Sequence, residues 1–274
     1  MLKDITLGQY FPGKSLLHTL DARVKLVCAL VYIVAVFLCF STLSYAALLL
    51  LTLGLILLSK ISVKVILKGL KPVVFIATFT AIINLFWVQG TTPLFVLGPI
   101  TVYPEGVAGA IFMLIRIVSL VIGSTLLLTY TTSPMALTDA MERLLSPLKL
   151  IKVPVHEFAM MMTIALRFVP TLVTETDKII CAQKARGADF ESGNLIQRAK
   201  ALIPVLIPLF VSAFRRADEL AVAMECRCYR GGEGRTRMKS LHTRPSDFAT
   251  LLFFLGAAVG LFFLNTLSNA LWLY

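Results

Sequence analysis

Charge is scarce in this sequence. Of its 274 residues only 15% are Asp, Glu, Lys or Arg, while 58% are apolar. A mean hydropathy of +0.85 excludes an ordinary soluble domain. Histidine is scarcer still: His18, His156 and His242 are scattered, and the 15 acids do not cluster as D-x-x-D-type pairs. Metal-assisted or acid–base chemistry needs such groups in clusters, so a membrane enzyme acting on phosphorylated lipids is a poor fit. The five cysteines have no framework spacing, which makes reduced thiols the default. Cys226 and Cys228 with the distant His242 fall short of the four closely spaced ligands of a zinc site, so no metal is expected.

What the sequence has instead is long runs without charge. Leu26–Ser59, Pro72–Pro104 and Phe248–Tyr274 carry none, and Gly106–Thr138 carries only Arg116. A helix needs about 20 apolar residues to cross a hydrocarbon core of about 30 Å. The first run accommodates two short spans turning near Ser41-Thr42, and each of the others one. The reading is an all-α polytopic membrane protein with about five transmembrane helices. No cleavable signal peptide is expected, because the first apolar run starts after residue 25 and exceeds a signal's apolar core.

Lysine and arginine set the orientation, since short basic segments stay on the cytoplasmic side. Lys14, Arg23 and Lys25 precede the first span, and Lys60, Lys64, Lys68 and Lys71 separate the second from the third. Both segments should be cytoplasmic, and the N-terminus with them. The connection near Ser41 and the loop Gln89–Gly106, with Glu105 as its one charge, should face outward. The expected layout is a cytoplasmic leader (1–25), a membrane domain of four spans (26–132), a cytoplasmic coupling domain (133–246) and a last span (247–274) that ends outside a bacterial cell membrane. From Arg143 to Arg244 there are 17 Lys or Arg against nine Asp or Glu. Anionic lipid and the positive-inside rule account for that surplus, and no nucleic-acid partner is expected.

The leader contains GQYFPGKS, Gly8 to Ser15, which matches the phosphate-binding pattern G-x-x-x-x-G-K-[ST]. The pattern works where a buried strand leads into the glycine loop and a helix follows, with an acidic residue on a second strand for Mg²⁺. Seven residues precede Gly8 and no strand-like run ends in Asp. The match reads as accidental, a turn in a basic leader.

The coupling domain carries the most pattern. Three amphipathic helices are readable: Pro134 to about Leu150, Val155 to about Arg186 with a kink expected at Pro170, and Asn194 to about Tyr229. The third contains Ala201–Phe214, 14 residues without charge, which is short for a span and fits an interfacial or buried helix. The ends of the second and third helices are alike. DKIICAQKARGADF from Asp177 aligns with DELAVAMECRCYRG from Asp218 at an offset of 41, which pairs Arg186 with Arg227, each between small residues. Gly187 reads as the residue just past the helix end, and Gly231 and Gly232 follow the second copy. An Arg there can complement the helix dipole, a contribution of about 0.3–1 kcal/mol. Repeated at two blunt tips, it points further, to a guanidinium fork inserted among carboxylates of a partner.

These two motifs, the leader GQYFPGKSLLHTLDARVKL and RRADELAVAMECRCYRGGEGRTRMK resemble the transmembrane (T) component of energy-coupling factor transporters, of the stand-alone, shared type. The resemblance covers essentially the whole chain. It implies a non-catalytic subunit of an ATP-driven importer, with two ATPase partners that bind ATP and Mg²⁺ themselves, and a small membrane protein, the S component, that captures a vitamin. On that pattern Ala185, Arg186 and Gly187, and Cys226, Arg227 and Cys228, are the ATPase-coupling motifs. The chain departs from the pattern in Cys226-Arg227-Cys228, which stands for Ala-Arg-Gly, and in Ala22, which stands for a leader proline.

Arg116 lies near the middle of the fourth span, where a charge faces protein. Functional and structural roles both stay open for it. The small residues Gly106, Ala108, Gly109 and Ala110 allow close helix packing, either within the chain or against the capture subunit. The rival to the T component is a conventional permease that forms its own substrate path, but such a protein has one coupling loop per subunit, and this chain has two tips.

Overall fold

A computed structural model describes residues 10–13, 15–87, 95–97, 100–190, 194–232 and 244–271. They fall into two compact units, one of residues 10–140 with 244–271, the other of residues 141–232.

In the first unit a four-residue helix α1 (Leu16–Thr19) leads into α2 (Ala22–Phe37), α3 (Thr42–Ser59), α4 (Val63–Trp87), α5 (Pro104–Ser124) and α9 (Pro245–Leu271). Asp21 caps α2, its Oδ1 accepting from the Arg23 N–H at 3.0 Å, and Ser41 caps α3, its Oγ accepting from the Ser44 N–H at 3.3 Å. The turn between the two long apolar helices therefore stands where the sequence places it. The core forms because α2 buries one stripe, Cys28, Ala29, Tyr32, Ala35 and Val36, at three- and four-residue steps, and Cys39 just past its end is buried too. That stripe packs against α5 and α9, and α3 packs against the same two helices. The outer faces of α3, α4 and α9 expose Leu50, Phe75, Trp87 and Leu252, as a lipid-facing surface does.

Close backbone approach locks α5 in place. A Cβ on Gly123 would come within 2.2 Å of the Tyr32 ring, and the Tyr32 hydroxyl donates to the Ser119 carbonyl at 2.8 Å. Beyond Ser124 the helix widens into a π-helical turn, Thr125–Tyr130, with Leu126, Leu127 and Tyr130 buried. At its exit the Thr131 carbonyl accepts from Lys25 Nζ at 2.8 Å, and the Tyr130 carbonyl accepts from the Phe11 N–H at 3.1 Å. Asp247, fully buried, joins the starts of α2 and α9: its carboxylate accepts from the Asp21 N–H at 3.1 Å and the Arg244 N–H at 2.7 Å. Between α4 and α5, strands β1 (Phe95–Leu97) and β2 (Ile100–Val102) pair antiparallel.

Helix α6 (Pro134–Leu144) crosses from the first unit into the second and ends short of the expected Leu150. Pro147 opens a separate 3₁₀ segment, Ser146–Ile151. The second unit is dominated by α7 (Val155–Ala185) and α8 (Leu195–Cys226), 31 and 32 residues long, with Pro170 inside one and Pro204 and Pro208 inside the other. Gln183 Nε2 meets the Pro204 carbonyl at 3.4 Å, while Glu175 accepts from Ser212 Oγ and Arg216. Higher numbers on α7 thus meet lower numbers on α8, so the helices pair antiparallel.

Among the described residues six helices are long and apolar enough to cross a membrane: Thr42–Ser59, Val63–Trp87, Pro104–Tyr130 including the π turn, Val155–Ala185, Ile196–Cys226 and Pro245–Leu267. Helix α2, at 16 residues, is the short member of the five expected spans. The addition of α7 and α8 is a difference from the sequence reading. The uncharged stretch Ala201–Phe214 is embedded in a longer continuous helix, and its apolar side chains, Phe210 and Phe214 among them, are exposed.

Candidate functional site

The two tips close in the same way. Helix α7 ends at Ala185, and Arg186 is its cap residue with φ −87° and ψ 5°. Gly187 then turns left-handed at φ 88°. The Gly187 N–H donates to the Lys184 carbonyl at 3.0 Å, and the Ala188 N–H reaches back to the Gln183 carbonyl at 3.0 Å. These two bonds form a Schellman motif, which satisfies carbonyls that a helix end otherwise leaves bare. Helix α8 repeats it 41 residues later. Arg227 caps with φ −93° and ψ 16°, Cys228 donates to Glu225 at 2.8 Å, and Tyr229 donates to Met224 at 3.0 Å.

The left-handed position of the second tip is Cys228 itself, at φ 53°. Gly231, at φ 88°, is left-handed too but stands three residues further on. A side chain in this region costs about 1–2 kcal/mol, which glycine avoids. The second tip therefore holds the same shape at a higher cost.

Because backbone N–H groups close both ends, neither guanidinium is needed as a cap. Arg186 and Arg227 are exposed, as are Ala185, Gly187, Cys226 and Cys228 beside them. Among the described residues neither Arg has an ion-pair or hydrogen-bonding partner for its side chain. The sequence singled out these six residues, and the structure brings them together as two triplets, one per tip, not as one cluster.

The antiparallel pairing sets the tips apart. Glu175 and Arg216, which meet across the helix pair, are themselves 41 residues apart, and each lies 11 residues before the Arg of its own tip. The offset that relates the tips also relates the residues at the crossing. The pair is thus pseudo-two-fold about the Glu175–Arg216 contact, with an arginine at either end. Twice 11 residues at 1.5 Å gives a spacing of roughly 33 Å along a straight pair. Glu175 and Arg216 escaped the sequence reading, although extending the aligned windows upstream by two residues would have found them. Between the helices runs an apolar groove lined by Ile164, Phe168, Leu172, Ala217, Leu220 and Met224.

The other candidates lie in the membrane unit. Gly106 and Ala110 on α5 are buried, while Gly109 is half-buried with open space where a side chain would stand. Arg116 is half-buried. Its Nη2 donates to the Cys39 carbonyl at 2.6 Å and to the Tyr45 hydroxyl, and its guanidinium lies 5.5 Å from the Phe40 ring centre and 5.6 Å from that of Tyr45. It clamps the turn between α2 and α3. Asn84 Nδ2 on α4 meets Met113 Sδ on α5 at 3.0 Å.

Gly8 and Lys14 of the phosphate-loop match also lie outside the described residues. Among the described residues, the helix that follows Ser15 is the four-residue α1, and the strands stand more than 70 residues further along. His242 likewise lies outside the described residues. Among those described, no three His, Cys, Asp or Glu side chains gather as a metal site would require.

Comparison with known proteins follows the same lines. A family model described as cobalt transport protein, CbiQ, matches residues 13–238. The energy-coupling factor transporter transmembrane protein EcfT of Ruminiclostridium cellulolyticum is 59% identical over 247 residues, covering 90% of this chain and 92% of the relative. The protein of that name from Clostridium kluyveri is 55% identical over 273 residues, 99% of each chain. That of Bacillus subtilis is 46% identical over 265 residues, 97% of this chain and all of the relative.

Proposed function

The chain belongs to the family of energy-coupling factor transporter transmembrane proteins, and from that membership we propose that it couples two ATPase subunits to a substrate-capturing S component within a bacterial membrane importer. Arg186 and Arg227 each enter an acidic groove on a different ATPase. Closing of the ATPases on ATP then drives the α7–α8 pair, and the pair passes the movement to the S component. ATP and Mg²⁺ belong to the partners, vitamin capture belongs to the S component, and this chain supplies no catalytic group. The N-terminus and both tips face the cytoplasm, where ATPases can reach them, and the C-terminus lies outside.

One observation carries this reading. Both helix ends are closed by their own backbone, which leaves two exposed arginines without any role in capping. A guanidinium free of intramolecular duty, on a rigid stub and flanked by small residues, is suited to paired N–H···O bonds with carboxylates. Its duplication at opposite ends of an antiparallel pair matches two sockets better than the single coupling loop of a conventional permease.

Charge reversal tests it. Arg186→Glu or Arg227→Glu places a carboxylate against carboxylates, and breaking such a pair from one side costs on the order of 2–5 kcal/mol. Each variant should lose substrate uptake sharply, and the double variant should release both ATPases while still inserting and folding. Lysine should restore only part, since it keeps the charge without the fork. If the arginines merely complement helix dipoles, the loss stays within about 1 kcal/mol and the double variant remains active. Purification with two different ATPases, rather than one or none, separates this reading from a permease or an enzyme.

A further inference from the structure

Beside the leader, the membrane unit holds a cavity of about 480 Å³. One wall is the short connection between α3 and α4, Ser59 to Ser62, with Val65 behind it, and the other is the leader turn Phe11 to Gly13 with Ser15 and His18. Both walls are fixed by hydrogen bonds of their own. Ser59 Oγ donates to the Ile56 carbonyl at 2.8 Å and accepts from the Ile61 N–H at 3.3 Å. His18 Nε2 donates to the Phe11 carbonyl at 2.9 Å, and its Nδ1 lies 2.6 Å from Ser15 Oγ. Gly13 packs against the same ring, since a Cβ placed there would stand 2.8 Å from His18 Cε1. The cavity is therefore preformed, as binding sites usually are.

Its position is that of a membrane boundary. Helix α3 runs for 18 residues without a charge, about 27 Å, close to the thickness of the hydrocarbon core, and the cavity stands at its end. Phe11 in its wall and the adjacent Tyr10 are exposed, as aromatic residues of a membrane interface are. Charge in this part of the chain has one sign. There is no Asp or Glu between Asp21 and Glu105, yet Lys60, Lys64, Lys68 and Lys71 follow one another at three- and four-residue steps. All four are exposed, and among the described residues none has an ion-pair partner. Like charges at this spacing repel, so the row calls for anions from outside the chain. Lys60 is the member that lines the cavity, and its backbone is left-handed at φ 54°, where any residue but glycine is strained. Ser62, in the same wall, leads into α4, whose first turn adds unbonded N–H groups and the positive end of a 25-residue helix.

We propose that this cavity binds the headgroup of an anionic phospholipid, with Lys60 and Ser62 on its phosphate and Phe11, Pro12, Ile61 and Val65 against the glycerol and first acyl carbons. A charged lip over apolar walls suits an amphiphile, whereas free phosphate has no use for the walls. Gly13 and Ser15 belong to the stretch that matches the phosphate-loop pattern, so the match falls beside a phosphate site of another kind. The positive-inside rule accounts for the lysines but not for a preformed cavity next to them. The inference is independent of the coupling role. On the orientation proposed above, the lipid belongs to the cytoplasmic leaflet, whose surface is anionic.

Native mass spectrometry of the full chain in detergent, offered equimolar phosphatidylglycerol and phosphatidylcholine of equal chain length, tests the proposal in either orientation. The unaltered chain should retain one phosphatidylglycerol, in about tenfold preference. Lys60→Gln should bring the two lipids near parity, the change expected when one charge-assisted hydrogen bond is lost, while Lys68→Gln and Lys71→Gln each shift the ratio about twofold or less. Lys60→Gly removes the ammonium and the backbone strain together, so it should lose the lipid equally while unfolding no more readily, which separates lost binding from lost structure. Val65→Trp, which fills the cavity, should prevent retention with every lysine in place. Equal, small shifts at Lys60, Lys68 and Lys71 would overturn the proposal, because surface charge alone would then attract the lipid. Displacement of the lipid by millimolar inorganic phosphate or ATP would overturn it in favour of a free phosphate ligand.

Discussion

Arg116 offers the sharpest separation between a structural and a functional role. Replacing it by alanine removes two charge-assisted hydrogen bonds, to the Cys39 carbonyl and the Tyr45 hydroxyl, and two cation–ring contacts at 5.5 and 5.6 Å. Bonds to a charged group contribute about 1.5–3 kcal/mol each, and a partly exposed cation–ring contact about 0.5–1. Against this stands the cost of holding a charge in the protein, visible in Nε, which is buried without a partner among the described residues. The net loss for Arg116→Ala is then about 3 kcal/mol, a large part of the 5–15 kcal/mol that holds a typical protein folded. Lysine should recover less than half, because an ammonium that reaches the carbonyl and the hydroxyl lacks the planar guanidinium that lies over the two rings. Reversible unfolding in mixed detergent micelles, with urea or dodecyl sulfate as the variable, reads the loss directly. The structural role also predicts looser packing of Tyr45 on Phe112, whose rings stack at 4.7 Å and an angle of 4°. An unchanged unfolding curve, combined with loss of the S component on purification, would refute the reasoning and make Arg116 a contact residue.

Two further outcomes are expected. Gly123→Ala drives a methyl group into the Tyr32 ring, where it would stand 2.2 Å from Cε1, and should destabilise the membrane unit by about 1–3 kcal/mol, with Tyr32→Leu relieving most of it in the double variant. A neutral Gly123→Ala in the same unfolding assay would contradict the close approach of α5 to α2. Cys228→Gly relieves a left-handed side chain worth about 1 kcal/mol, so hydrogen exchange at the Tyr229 amide, which closes the cap, should slow about fivefold. Faster exchange would mean that Cys228 holds the turn by contacts of its own.

The membrane helices were legible because charge-free length is a one-dimensional property: the turn at Ser41-Thr42 and the start of α5 beside Pro104 stand where the runs break. The lysines 64, 68 and 71 were read as a connection, yet they occupy the first turns of α4. Their spacing puts them on one helix face, and long basic stems can snorkel from such a position, so charge marked the membrane boundary but not the helix boundary. At the tips the offset-41 repeat was readable, and Gly187 announced its own conformation. Cys228 did not, since nothing in a cysteine signals a left-handed turn and the neighbouring glycines drew attention away. The partners of Arg116 lie 71 to 77 residues away in sequence. Contacts of that kind come only from the way the helices return upon one another.

The meeting of Glu175 with Arg216 has a consequence for the symmetry of the paired helices. In any duplicated segment folded back upon its copy, a residue near the two-fold axis faces its own duplicate. Two faithful copies would set acid against acid there, or base against base, and the pair would repel. Divergence at this one position, acid in one copy and base in the other, turns the repulsion into a bond. With a charged residue at this position the two halves cannot be identical without repulsion. The ion pair that stabilises the crossing thus also makes the two ends of the arm distinguishable.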